Sequence, residues 1–172
     1  MEKAQNPWSV PVTVEDIPET GRHIDIDAPE AVRAALAALA GVRELPWLSA
    51  SFDLTRRGAG VRVTGRVAAR VGQTCVVTLD PVDSDLEEAV DLVFAPASDE
   101  AAQTEAKDTE GLPEPLVDGT LDLGAVATEF LLLGINPYPR KPGVEFAPLK
   151  DDNASARPFA GLEALKKRLS GG

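Results

Sequence analysis

The sequence predicts an α+β fold: a mostly antiparallel twisted sheet, either open or curled toward a partial barrel, covered by two main helices, with a short C-terminal helix. Three observations carry that expectation. Segments within residues 44–94 alternate apolar and polar side chains at the two-residue period of strands with one wet face. Two other segments, after Asp27 and after Thr120, repeat apolar residues at helical spacing. And 172 residues with 44% hydrophobic content suffice for a single domain over residues 1–172, with some loose chain.

In chain order, residues 7–17 hold Trp8, Val10, Val12 and Val14 in strict alternation and predict a half-buried strand. Pro11 falls among the outward positions, which marks an edge strand, where a missing N–H is tolerated. Residues 21–28 predict a second short strand, with Ile24 and Ile26 on one face and His23 and Asp25 on the other. His23 is the only histidine. No metal-ligating or catalytic partner stands near it at a recognisable spacing, so it reads as an exposed strand residue. Asp27 is placed to cap a helix with Pro29 near its first turn and Gly41 just past its end. Val32, Ala35, Leu36 and Leu39 would form its apolar stripe.

Three alternating strands follow. In residues 44–54, Leu48, Ala50, Phe52 and Leu54 share a face; in residues 61–71, the valines at 61, 63, 67 and 71 do, opposite Arg62, Thr64, Arg66 and Arg70. The turn Arg56-Arg57-Gly58-Ala59-Gly60 joins these two as a hairpin. In residues 82–94, Val82, Leu86, Val90, Leu92 and Phe94 point inward and Asp83, Asp85, Glu87 and Asp91 outward. Glu88 breaks that pattern, which predicts a bulge or an edge position. The wet face therefore sets a row of arginines beside a row of acids, read as cross-strand ion pairs rather than as a stripe for RNA backbone.

Residues 95–115 are rich in acids, Ala, Pro and Gly and poor in apolar anchors, so they predict a mobile acidic loop. The polar turn Asp118-Gly119-Thr120 then opens a helix, with Thr120 placed to cap it. Leu123, Val126, Ala127, Phe130, Leu131 and Gly134 form its stripe, and Pro137 and Pro139 end it in a stiff exit. Glu129 lies off that stripe. Residues 142–156 are irregular, and residues 157–169 predict a short basic helix with Lys166, Lys167 and Arg168 in its last turn.

Seventeen basic against twenty-eight acidic residues give a net charge of -11, which disfavours a sequence-independent hold on RNA phosphates. One cysteine, Cys75, fits a reducing compartment. The N-terminal stretch lacks the basic start and apolar core of a secretory signal, and no apolar run is long enough to span a bilayer, so the expected location is cytoplasmic, without membrane contact. There is no Gly-rich phosphate loop, no histidine-based metal cluster and no nucleophile with an adjacent base, so neither a catalytic site, a cofactor nor a small-molecule substrate is indicated. Cys75 reads as a buried structural thiol.

The order of features resembles the YceD family, a bacterial and plastid domain linked to accumulation of large-subunit ribosomal RNA. The matching stretches are residues 65–67, residues 75–81 (from Cys75 to Pro81), the helix and exit at 121–139 with Glu129, Pro137 and Pro139, and the tail at 157–166. The family pattern often carries Cys-x-x-Cys before the proline and another cysteine after the exit, like a metal-binding arrangement. Here Thr78 takes the second position and no cysteine follows Tyr138. The motif "Asn-Pro-Tyr-Pro-Arg-Lys-Pro" is similar to that of an alphaproteobacterial branch. The resemblance implies a non-enzymatic ribosome-biogenesis factor. Its expected contacts are Tyr138, Arg140 and Lys141 on the exit, Lys166, Lys167 and Arg168 on the tail, and Arg62 and Arg66 if RNA is touched. The alternative is an acidic adaptor whose loop docks a basic partner, such as a ribosomal protein, without RNA.

Overall fold

The computed structural model describes residues 6–96 and 113–145. The compact unit that carries the sheets ends at Pro142. Its elements are β1 (Pro11–Thr13), β2 (Arg22–Asp27), α1 (Glu30–Ala40), β3 (Glu44–Arg57), β4 (Gly60–Thr74), β5 (Pro81–Pro96), β6 (Glu114–Leu116), β7 (Thr120–Asp122) and α2 (Leu123–Gly134). The strands form a five-stranded sheet in the order β2-β3-β4-β5-β6 and a two-stranded sheet pairing β1 with β7. Among the described residues the larger sheet is open, with β2 and β6 as its terminal strands, so the partial-barrel variant is not adopted there.

The strand alternation becomes burial. Leu48, Ala50, Phe52 and Leu54 of β3 and Val61, Val63, Val67 and Val71 of β4 are all buried. With Leu86 and Val90 of β5, Leu36 and Ala37 of α1, and Leu123, Val126 and Leu131 of α2, they belong to one apolar cluster. The hairpin turns tightly, with Arg57 opposite Gly60 and Gly58 in the left-handed region. Close strand approach also demands Gly65. A Cβ there would stand 2.0 Å from the Ser51 carbonyl oxygen.

Several expectations are corrected. Of the two outcomes expected at Glu88, the edge position is the one found: β4 and β5 pair in unbroken register through Val67↔Glu88 without a bulge, and among the described residues β5 has no partner on its other side before Phe94. The side chain lies where α2 crosses the sheet, since a Cβ on Gly134 would be 2.7 Å from Glu88 Cγ and from Leu86 Cδ1. The register shift falls in β3 between Glu44 and Trp47, around Pro46, which has no N–H for the ladder. Of residues 7–17 only Pro11–Thr13 is strand, and Val14–Asp16 turns into a 3₁₀ segment. Trp8, Val12 and Val14 are buried all the same. On α1, Leu36 and Ala37 are buried and Leu39 is 50% exposed. The helix begins at Glu30 behind Pro29 with no side-chain cap, so Asp27 does not cap it; Gly41 closes it in the left-handed conformation as expected.

The second helix is capped by Asp122, not Thr120, because the chain stays extended through β7 and bends two residues later. Asp122 Oδ1 accepts from Gly124 N at 2.9 Å, Ala125 N at 3.1 Å and Val10 N at 2.7 Å, and Oδ2 accepts from Ser9 Oγ at 2.6 Å. One carboxylate thus caps α2 and straps the N-terminal segment to it. The ends of the predicted acidic loop are strands, since β6 pairs parallel with the end of β5 through Phe94↔Glu114. Residues 97–112, and the predicted C-terminal helix with Lys166, Lys167 and Arg168, lie outside the described residues. Among the described residues no helix is long and apolar enough to cross a membrane.

Candidate functional site

The exit from α2 is not a free terminator. Thr78 N donates to Cys75 Sγ at 3.5 Å, Leu79 N to the Cys75 carbonyl at 2.9 Å, and Cys75 N to the Asp80 carbonyl at 2.8 Å, closing a tight turn after β4. That turn seizes the exit. Val76 N donates to the Pro139 carbonyl at 2.9 Å, Gln73 Nε2 to the Asn136 carbonyl at 2.8 Å, and Lys141 N to Cys75 Sγ at 3.4 Å. Lys141 Nζ adds an ion pair to Asp80 at 3.3 Å.

The result is a two-loop knob that sorts its side chains. Cys75 is fully buried and Pro139 is buried beside it, while Pro137 and Arg140 are exposed. Tyr138 is 70% exposed and Leu79 76%, and Val76 is half-exposed. Leu79 also holds a φ of 62°, unusual for a branched side chain, which this turn imposes.

Hydrogen bonds from the Thr78 hydroxyl, then from the backbone of Lys141, Thr78 and Val77, pull the Cys75 thiol from its ordinary 9.0 down to about 6, against its burial, which pushes it up. The turn therefore does not fit the metal implied by the resemblance. Only one sulfur is present, and Thr78 and Lys141 aim N–H donors at it from the places where further ligands would stand. Among the described residues no three His, Cys, Asp or Glu side chains converge as a metal site.

Arg62 and Arg66 are not brought to the knob. They lie on β4, which runs from Gly60 to Thr74, so at about 3.3 Å per residue roughly 40 Å and 30 Å of strand separate them from Cys75. Arg62 forms a paired hydrogen bond with Asp91, at 2.9 and 2.6 Å. Arg66 stands 3.9 Å from Glu87 and Arg70 3.7 Å from Asp85. Cross-strand pairing on the wet face is thus present, and the Arg62 guanidinium holds Asp91 below the usual carboxylate range.

His23 is exposed as expected, yet it has partners the spacing did not reveal. The β2–β3 register sets it opposite Asp53; Nδ1 lies 2.7 Å from Asp53 and Nε2 lies 3.2 Å from Asp25. The hydrogen bond to Asp53 and the charge of Asp25 raise its pKa. Ser51 Oγ is 3.4 Å from Nε2, which gives the outline of a serine triad. A hydrogen bond from Ser51 and the charge of His23 in turn hold Asp25 below the usual carboxylate range. Only Asp25, two residues along the same face, was legible beforehand; Asp53 and Ser51 required the register.

Glu129, left open by the sequence, is exposed and borders a second feature. A groove of about 460 Å³ is lined by Leu92 and Phe94 of β5, Glu114 and Pro115 of β6, Val117, Asp118, and the start of α2 as far as Glu129.

A family model described as "Large ribosomal RNA subunit accumulation protein YceD" matches residues 63–166, from β4 onward. No curated protein and no solved structure matches the chain.

Proposed function

The chain belongs to the YceD family of large ribosomal RNA subunit accumulation proteins, and on that premise we propose that it is a non-enzymatic, cytoplasmic ribosome-biogenesis factor. It supports processing and accumulation of large-subunit ribosomal RNA by docking on a ribosomal precursor or an assembly protein. The knob around Cys75 is the docking element. The observation that carries this reading is that buried groups of the knob (Gln73, Cys75 and Pro139) fix the exit, while Tyr138, Leu79 and Arg140 are turned to solvent. Aromatic and arginine side chains presented on a fixed backbone are what binding hot spots are made of. Protein contact is favoured over bulk RNA affinity, because the net charge is -11 and each wet-face arginine already has a carboxylate partner.

Depletion of the chain should lower mature large-subunit ribosomal RNA relative to the small subunit, with precursors accumulating. Re-expression of wild type should restore the ratio, and the double variant Tyr138→Ala, Arg140→Ala should fold normally and fail to restore it. Unchanged ribosomal RNA on depletion would sink the function. Full rescue by the double variant would sink the knob as its site.

A further inference from the structure

We propose that the groove between α2 and the β5–β6 edge binds a basic, extended segment of a protein partner carrying apolar anchor residues. This rests on the ribosome-biogenesis reading and gives it a partner class.

The groove's volume, about 460 Å³, lies within the roughly 300–1,000 Å³ of small binding pockets. Its floor is apolar, from Leu92, Phe94, Leu121 and Val126, and Val117 stands at its border 70% exposed. Phe94, Leu121 and Val126 are themselves buried and Leu92 half-buried, so Val117 is the apolar side chain that gains most by being covered.

Among the described residues β6 is the last strand of the sheet, and β5 has no outer neighbour before Phe94. An extended segment laid there would continue the ladder, and its alternate side chains would reach the groove.

Charge selects the occupant. The lining carries Glu114, Asp118, Asp122 and Glu129 and no basic side chain. Asp122 is spent on the α2 cap; Glu114, Asp118 and Glu129 have no ion pair among the described residues. A nucleic acid would be repelled, and a second copy would face its own acids across a symmetric interface. A lysine- and arginine-bearing segment fits.

The test is an anisotropy titration of the full chain with a fluorescent peptide alternating lysine and leucine. Binding should weaken with salt. The double reversal Glu114→Lys, Glu129→Lys should weaken it roughly tenfold, and Val117→Ser should weaken it by about threefold without any change of charge. The control pair Glu19→Lys, Asp83→Lys, with the same charge change elsewhere, should have less than about a twofold effect. No binding, or equal weakening by both pairs, would overturn the site. So would displacement of the peptide by a single-stranded RNA, or a concentration-dependent dimer dissolved by Val117→Asp, which assigns the face to a second copy. Absent peptide binding alongside the ribosomal RNA phenotype removes the groove and leaves the family role standing.

Discussion

Asp122 shows how much one side chain can hold. It caps α2 through Gly124 and Ala125 and ties down Val10 and Ser9. Removing a cap costs about 1 kcal/mol and removing an ionised acceptor about 1.5–3 kcal/mol. Asp122→Ala should therefore lower stability by about 2–4 kcal/mol in urea unfolding, with Asp122→Asn recovering part of it by keeping one acceptor oxygen. Cys75 gives the pH dependence. Its folded value is depressed to about 6 from 9.0, so its contribution is full above the unfolded value, falls away as pH drops from 9 toward 6, and is gone below. Thiolate ultraviolet absorbance should titrate near the lower value in the folded chain. Cys75→Ser should abolish that signal and flatten the stability gain between those limits. Alkylation of the native thiol should nevertheless be slow, because the sulfur is fully enclosed.

At the scale of elements, burial along α2 separates structure from surface. Leu131 is fully buried and Leu133 is 72% exposed. Leu131→Ala should cost about 2–5 kcal/mol, whereas Leu133→Ala should stay within about 0.5 kcal/mol; thermal or urea unfolding of the pair checks both. The inward rows of β3, β4 and β5 were legible because a period of two survives any sheet order. The α1 stripe was less so, since Ala-rich sequence carries apolar side chains on every face, and Leu39 went to solvent. The cap of α2 was misplaced because Thr120 and Asp122 are both good capping residues. Only the pairing of Thr120 with Thr13 in β1–β7 decides between them. The register shift fell at Pro46, while Glu88 kept its place in the ladder at an edge position of β5, half-buried where a helix glycine makes room beside it.

For the whole molecule, what sequence could not supply is register and long-range closure. Ser51 and Asp53 reach His23 through β2–β3 pairing, and Cys75 meets Lys141 across a separation of 66 residues. Neither pairing has a local signal. The candidate knob was half legible: Tyr138, Arg140 and Lys141 stood out on their prolines, while the turn that grips them did not. One such closure has a consequence in time. Ser9 and its acceptor Asp122 are 113 residues apart, so the strap is synthesised well before its acceptor and cannot be seated until Asp122 has been made. A pairing of such separation forms after the local hairpins, on the native side of the folding barrier. The loss of stability in Asp122→Ala should then appear as faster unfolding at an almost unchanged refolding rate: the strap acts as a latch on the finished fold and takes no part in building it.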